Sequence, residues 1–191
     1  MKFPLQAKLR DDTPIELLLA NRSHLEAFQG LYAEIVEEGN SYPHQQPLDF
    51  NGTWEYWFAG KSTIGAFSGP KFSPMELVGA FYLKANWPGR ARRVANAGFM
   101  VAPAWRNKGL GWLLGATMLG YAKFLGYHGV MFNLVFSQNL VARSLWVKLG
   151  FSELGIIPGA IANDDGTYQD GVIMFRSLLD ATPFPEPGRI L

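Results

Sequence analysis

One stretch, residues 96–126, constrains the fold of this chain more than any other. An apolar run over Val94–Val101 stops at Pro103, and a basic turn with two glycines, residues 106–111, follows. A helical pattern then continues until Gly126, which is placed to cap the helix C-terminus. A strand, a glycine turn and a helix in this order present free N–H groups at a helix N-terminus. The stretch therefore predicts a binding site for an anionic group such as a phosphate.

The turn itself has the chemistry of a phosphate site. Gly109 and Gly111 lack a Cβ, so a ligand can approach the backbone closely. Arg106 and Lys108 add cationic donors beside the same backbone. A dinucleotide fingerprint needs a third glycine, and a Walker loop needs Gly-Lys-Ser/Thr. The turn has neither pattern, so both of these nucleotide-binding folds are excluded.

Composition narrows the class of protein. A chain of 191 residues that is 48% apolar can bury one sizeable core, and we expect one domain over residues 1–191. A net charge of +1 favours neither a nucleic acid nor a strongly acidic partner. The chain has no cysteine, which excludes disulfides and thiolate catalysis, and its three histidines share no metal-ligand spacing. No apolar run is long enough to span a bilayer, so we expect a cytoplasmic protein without a membrane partner.

The rest of the chain reads as alternating strands and helices. The predicted elements are a strand over residues 15–20, a helix from about residue 24 to residue 39, a short helix over 53–58, strands over 63–68, 75–85 and 94–101, the motif helix, a strand over 130–136, a helix over 139–149, strands over 151–157 and 172–177, and an extended tail over 183–191. This order predicts an α/β protein with a mixed sheet.

Two motifs resemble the Gcn5-related N-acetyltransferases. The turn reads Arg106-x-x-Gly109-x-Gly111, as in the cofactor motif of that family, and it follows a strand and precedes a helix as the family requires. A second block, residues 139–151, resembles the family's Asn-x-x-Ala-x-x-Leu-Tyr-x-x-x-Gly-Phe segment. The resemblance implies the acyltransferase fold, a mixed and mostly antiparallel sheet with flanking helices, and acetyl-CoA as cosubstrate without a metal.

The resemblance also implies which residues hold the cofactor. The diphosphate would meet the main-chain N–H groups of residues 107–112, and the thioester carbonyl would accept a hydrogen bond from an N–H near Val101. The cofactor-binding residues expected on this basis are Phe99, Met100, Val101, Arg106, Asn107, Lys108, Gly109, Leu110, Gly111, Trp112 and Asn139.

The usual acid and base of the family are absent. The strand Val94–Val101 contains no carboxylate, and Trp146 stands where the family often has a tyrosine. Deprotonating an alkyl ammonium of pKa about 10.4 at neutral pH costs roughly 4–5 kcal/mol, so the proton acceptor matters. These departures leave open a non-catalytic acyl-CoA-binding module as an alternative to an enzyme.

Asn96 and Asn133 are the polar side chains that stand out on the apolar core strands. Each amide can hold a substrate through its two donors and one acceptor, or can satisfy the backbone of a bulged strand. Residue type alone favours the second role. We expect both amides to be buried, because each lies in an otherwise apolar strand.

A closer resemblance favours substrate binding. The pattern is similar to the fungal L-azetidine-2-carboxylate N-acetyltransferases, which act on small proline-like imino acids, and the match is concentrated in residues 81–158. It implies that Asn96, Asn133 and Leu134 bind the substrate carboxylate and that Asn133 and Asn139 orient the reacting groups. The transfer would be a direct attack of the amine in a ternary complex.

Other acceptors and partners stay open. The amine could belong to a protein N-terminus, a polyamine or an aminoglycoside, although the last two would favour acidic pockets. The aromatic cluster of residues 54–58 fits a homodimer interface and a pocket lid equally well.

Overall fold

The computed structural model describes residues 1–69 and 75–179 of the chain. Its strands are β1 (Leu5–Lys8), β2 (Pro14–Leu19), β3 (Ser62–Ser68), β4 (Glu76–Ala85), β5 (Val94–Val101), β6 (Gly129–Phe136), β7 (Ser152–Ala162) and β8 (Tyr168–Ser177). Its α-helices are α1 (Leu25–Glu37), α2 (Phe50–Trp57), α3 (Leu110–Phe124) and α4 (Leu140–Lys148).

The eight described strands form one sheet in the order β1-β2-β3-β4-β5-β6-β8-β7. Every neighbouring pair is antiparallel except β5 and β6, which are parallel. The predicted α/β fold with a mixed, mostly antiparallel sheet is therefore confirmed. The parallel pair is short, because only Val94↔Gly129 and Ala95↔Val130 are in register. Beyond these two pairs the strands diverge and leave a slit in the sheet.

Helices cover both faces of the sheet. The core beneath α3 and α4 includes Leu113, Met118 and Leu149, whereas the core beneath α1 and α2 includes Phe28 and Trp57. Helices α3 and α4 pack closely at Gly115, where there is no room for a side chain. A Cβ atom at this position would lie 2.4 Å from Leu149 Cδ1. The slit between β5 and β6 is therefore flanked by α1 and α2 on one face and by α3 and α4 on the other.

The predicted elements agree with the structure except at the chain ends, in β7 and in β8, which begins at Tyr168, four residues before the predicted start. The strand β1 was not predicted, because its segment is short and lies among polar residues and prolines. The strand β7 extends to Ala162, five residues beyond the predicted end. The predicted tail over residues 183–191 lies outside the described residues. No helix of the described residues is long and apolar enough to cross a membrane.

Candidate active site

The main chain of β5 faces the slit at alternate residues. The amide of Asn86 donates to Val94 O at 2.8 Å, the amide of Ala102 donates to Val78 O at 2.9 Å, and the register between these bonds has no shift. Antiparallel pairing alternates, so the even-numbered residues of β5 bond to β4, and the odd-numbered ones direct their N–H and C=O groups towards β6. Past the short parallel pair, the N–H groups of Phe99 and Val101 therefore point into the slit.

Met100 differs from its two neighbours. Its N–H and C=O groups face β4, and its side chain is 2% exposed in the core beneath α1 and α2. Met100 therefore presents no polar group to the slit, and the cofactor contact expected for it has no support in this geometry.

The turn before α3 carries a run of free amides. Within residues 1–69 and 75–179, the N–H groups from Asn107 to Trp112 donate to no acceptor. The first intrahelical bond at this end is Leu113 N to Gly109 O, at 3.0 Å. Gly109 precedes the helix with φ of 90°, in the left-handed region that favours glycine. Such a run of unpaired donors at a helix N-terminus suits an anion.

Arg106 and Lys108 were expected to add cationic donors beside the backbone of this turn, but both contact other side chains. Arg106 Nη2 lies 2.7 Å from Glu38 Oε2 at the end of α1, and its Nε donates to Val101 O at 3.4 Å. Lys108 Nζ lies over the Trp105 ring, 4.9 Å from its centroid. The side chain of Leu110 is buried in the core, and that of Trp112 packs against it. Both cationic side chains of the turn therefore already have partners, and its free hydrogen-bond donors are mainly the backbone N–H groups.

A cavity of about 290 Å³ fills the slit. Residues of both faces line it, together with β6 and the segment after α1. They are Ser41, Tyr42, Pro43, Tyr56, Tyr82, Asn96, Ala97, Gly98, Phe99, Phe132, Asn133, Leu134, Val135, Phe136, Asn139, Ala142 and Trp146. The wall next to α4 is aromatic, because the Trp146 ring lies 4.7 Å from the rings of both Phe99 and Phe132.

Asn133 and Leu134 occupy a bulge in β6. Phe132 pairs with Met174 and Val135 pairs with Val172, so two residues of β6 oppose one of β8. The expectation that Asn133 is buried is wrong, because the bulge leaves its side chain exposed. Its amide exchanges two hydrogen bonds with the amide of Asn86, at 2.7 and 3.0 Å.

Asn96 and Asn139 also line the cavity, and both make backbone contacts. Asn96 is buried, and its Nδ2 donates to Met131 O at 3.0 Å, across the point where the strands separate. Asn139 caps α4, because its Oδ1 accepts from Ala142 N at 3.1 Å. Its Nδ2 donates to Asn40 O at 3.4 Å, which links α4 to the segment after α1. The structure therefore brings all three predicted asparagines to one cavity.

Three tyrosines of the cavity were not predicted. Tyr42 follows α1, Tyr56 belongs to α2 and Tyr82 belongs to β4, so their sequence positions gave no common signal. The Tyr42 hydroxyl donates to Phe99 O at 2.6 Å, the carbonyl that faces the slit. Burial raises the pKa of each of these phenols above the ordinary tyrosine value. All three therefore stay protonated at neutral pH.

Two lysines flank the tyrosine side of the cavity. Lys61 and Lys84 each place Nζ 6.0 Å from the centroid of the Tyr82 ring. Lys84 lies directly opposite Asn96 in the register of β4 and β5, so both side chains emerge on the same face. Burial and the charge of Lys84 lower the pKa of Lys61, which donates to the carbonyls of Glu55 and Ala59. The two lysines therefore make the tyrosine side of the cavity electropositive.

The sequence profile of the Acetyltransferase (GNAT) family matches residues 28–151. The chain belongs to this family. The match spans the segment after α1, the slit, the free amides before α3 and the cap of α4. The chain is accordingly an acetyl-CoA-dependent N-acetyltransferase, as its motifs imply.

Individual relatives agree with the family. The chain is 34% identical to the N-acetyltransferase aca1 of Schizosaccharomyces pombe over 163 residues, which covers 76% of this chain and 78% of that protein. A GCN5-related N-acetyltransferase from Kribbella flavida matches with a TM-score of 0.78 at 28% identity, covering 86% of this chain and 98% of the other. A phosphinothricin acetyltransferase from Sinorhizobium meliloti, solved in complex with AcCoA, has the same fold, with a TM-score of 0.77 at 21% identity over 90% of this chain and 94% of its own.

Proposed function

We propose that this enzyme transfers the acetyl group of acetyl-CoA to the amine of a small amino or imino acid, by direct attack in a ternary complex. The observation that carries the proposal is the slit between β5 and β6. It has free backbone donors on the side of α3 and α4 and an electropositive, tyrosine-lined space on the side of α1 and α2. The acetyl donor and the amine would therefore approach one another from opposite faces of the sheet.

The donor side fits coenzyme A through its backbone. The amides from Asn107 to Trp112 would bind the diphosphate, and the N–H groups of Phe99 and Val101 would bind the thioester carbonyl. The thioester supplies an activated acetyl group. Because these donors are fixed before the reaction, they stabilise the negative charge on the carbonyl oxygen without reorganising. Asn139 caps α4 beside the cavity and would orient the reacting groups.

The acceptor side fits an anionic substrate group. No carboxylate is among the described residues that line the cavity, whereas the Asn96 amide lines it and Lys84 emerges next to Asn96 on the same face of the sheet. A polyamine or an aminoglycoside would lack an acidic partner here. A carboxylate next to the amine would find a cation and an amide donor. Asn133 and Leu134, at the exposed bulge, would contact the same substrate from β6.

The volume of the cavity also supports a small acceptor. Ligand pockets for drug-sized molecules start at roughly 300 Å³, so about 290 Å³ suits an acetyl group together with a small imino acid. Azetidine-2-carboxylate and proline are the acceptors that the sequence resemblance implies. A protein N-terminus would need an open channel for the rest of its chain, and we treat it as the alternative acceptor.

The proposal is tested by following thiol release from acetyl-CoA with a panel of amines. The panel contains L-azetidine-2-carboxylate, L-proline, spermidine and a peptide with a free N-terminus. We expect the two imino acids to have the highest kcat/KM. Preferential turnover of spermidine or of the peptide would overturn the substrate assignment. Binding of acetyl-CoA with no release for any amine would instead support a non-catalytic acyl-CoA-binding module.

Three broader parts of the proposal concern the whole protein. All described strands share one sheet, which supports one catalytic domain over residues 1–191. A cytoplasmic location would give the enzyme access to acetyl-CoA.

The edge strand β7 exposes Leu154, Ile156 and Ile157, which supports a homodimer that pairs or packs along this edge. Light scattering should give twice the monomer mass, and a monomer at micromolar concentration would contradict the dimer.

A further inference from the structure

The bulge in β6 places an exposed side chain at the cavity. Asn133 lines the cavity, but it lies where the pairing of β6 with β8 is interrupted, and its side chain is exposed. An exposed side chain rotates freely unless another group holds it. Fixing such a side chain when a substrate binds costs conformational entropy and weakens binding. A group that fixes Asn133 before the substrate arrives therefore improves the site.

Asn86 holds the Asn133 amide by two hydrogen bonds. Asn133 Nδ2 donates to Asn86 Oδ1 at 2.7 Å, and Asn86 Nδ2 donates to Asn133 Oδ1 at 3.0 Å. Rotation of either amide breaks both bonds, so the pair restrains both side chains. Within residues 1–69 and 75–179, these two side chains make no other hydrogen bond. Asn86 is therefore the described group that fixes the orientation of Asn133.

The backbone places Asn86 beside the polar groups of the acceptor side. Its N–H donates to Val94 O at 2.8 Å, so the pairing with β5 continues one residue beyond β4. Side chains two positions apart on a strand share a face, so Asn86 emerges on the face of Lys84 and Asn96. Strand β5 lies between β4 and β6 in the sheet. The pair of Asn86 and Asn133 therefore spans β5 on this face.

The amide pair has the polarity that a carboxylate requires. Both side-chain carbonyl oxygens, which would repel a carboxylate, accept hydrogen bonds within the pair. A side-chain amide has two N–H donors and each amide of the pair uses one of them, so each keeps one N–H. Lys84 adds a positive charge on the same face. The pair therefore leaves donors for an anionic group while its acceptors are already engaged.

We propose that Asn86 is a positioning residue of the acceptor site. It holds the Asn133 amide so that the remaining N–H of Asn133 donates to the carboxylate of the amino or imino acid. Asn86 acts through Asn133 and does not itself touch the substrate. This inference rests on the proposed acetyl transfer and assigns part of its preference for amines that carry a carboxylate.

The test compares Asn86→Ala, Asn133→Ala and the double variant with the wild type, using L-azetidine-2-carboxylate and L-proline as acceptors. Alanine at position 86 keeps the main-chain hydrogen bond to Val94 O, so the local backbone is retained. Asn86→Ala should raise KM for both imino acids about three- to tenfold, because one side chain must then be ordered on binding. The double variant should have the KM of Asn133→Ala, because Asn86 has nothing to position once the Asn133 amide is gone.

Amines without a carboxylate separate positioning from a general loss of structure. In Asn86→Ala, KM for azetidine, for pyrrolidine and for acetyl-CoA should stay at the wild-type value. Asn51→Ala, which removes an exposed amide from α2, is the matched control and should change none of these constants.

Three results would overturn the inference. The first is a KM for the imino acids in Asn86→Ala equal to that of the wild type. The second is an equal rise in KM for amines with and without the carboxylate, which would indicate a structural role. The third is a further rise in the double variant over Asn133→Ala, which would show that Asn86 acts on the substrate directly.

NMR of the side-chain amides separates failure of this inference from failure of the proposed function. A wild type that releases no thiol with any amine fails the proposed function. In the free protein, Asn86→Ala should shift the side-chain N–H signals of Asn133, and unchanged signals would show that the pair does not form. L-proline should shift the same signals in the wild type, whereas pyrrolidine should not. Equal shifts with both amines would overturn the assignment of Asn133 and Asn86 to the carboxylate, even if the enzyme is active.

Discussion

If the proposed function holds, Lys84 is the residue that would let the acceptor site discriminate between classes of amine. Its side chain emerges next to Asn96 and approaches the Tyr82 ring to 6.0 Å. Sequence reasoning missed it, because a lysine near the end of an apolar strand looks like a solvated residue. The register of β4 with β5 is what brings it to the slit. A lysine held at the edge of a largely apolar cavity attracts a carboxylate more strongly than a fully solvated one does.

Lys84→Gln should raise KM for L-proline and L-azetidine-2-carboxylate about five- to tenfold, which corresponds to about 1–1.4 kcal/mol. KM for the matched amines without a carboxylate, pyrrolidine and azetidine, should be unchanged. Steady-state kinetics with the four amines provide the measurement, and Lys148→Gln on α4 is the control. An equal change for amines with and without the carboxylate would show that Lys84 does not bind this group.

The asparagines illustrate what residue type can and cannot predict. Asn96, Asn133 and Asn139 do meet at one cavity, as their motifs imply. Apart from the local cap of α4 by Asn139, their hydrogen bonds could not be predicted, because each of the other partners comes from a segment distant in sequence. Asn86 is 47 positions from Asn133, and Asn40 is 99 positions from Asn139. A bulge in β6, which no sequence pattern signals, also exposes Asn133.

The turn before α3 is the element on which the proposed donor site would depend. Gly109 adopts a φ of 90°, and the amides that follow it point away from protein acceptors. A Cβ at Gly111 would lie 3.2 Å from Leu145 Cδ2, so this glycine also serves the packing of α3 on α4. The glycines of the motif therefore meet a packing requirement in addition to the proposed binding requirement, and the sequence alone did not separate the two.

Gly109→Ala should cost about 1–2 kcal/mol of unfolding free energy, because alanine is strained in the left-handed region. Gly60→Ala is the matched control, since Gly60 has a φ of 67° with open space around its Cβ position. Urea unfolding should give similar losses for both variants. KM for acetyl-CoA should rise in Gly109→Ala alone. A similar KM in the two variants would show that the turn does not bind the cofactor.

At the scale of the whole molecule, helices cover both faces of the sheet, and in the proposed function each face would serve one of the two substrates. The order of strands and helices was predictable, because the apolar runs and the glycine boundaries are strong signals. The shape of the acceptor pocket was not, because Tyr42, Tyr56 and Tyr82 come from a loop, a helix and a strand. Their convergence depends on how α1 and α2 pack on β4 and β5. Gly98 shows the same dependence, since a Cβ there would lie 2.5 Å from Tyr82 Cε1.

The buried phenols predict alkaline instability. Burial raises the pKa of Tyr32, Tyr42, Tyr56 and Tyr82 above the ordinary tyrosine value of about 10. Their contribution to stability is therefore complete below about pH 10 and is lost as the pH rises towards the folded-state values. The rise in tyrosinate absorbance from these phenols should coincide with the loss of helical circular dichroism. Ionisation of all tyrosines in a protein that keeps its circular dichroism would contradict this prediction.

A crystal structure of the protein with acetyl-CoA tests the central claim most directly. We predict that the diphosphate oxygens accept hydrogen bonds from the amides between Asn107 and Trp112. The thioester carbonyl should lie in the slit, at the N–H of Phe99 or Val101, with the acetyl group facing the tyrosines. A coenzyme bound elsewhere, or a slit closed by direct pairing of β5 with β6 beyond Ala95, would contradict the account.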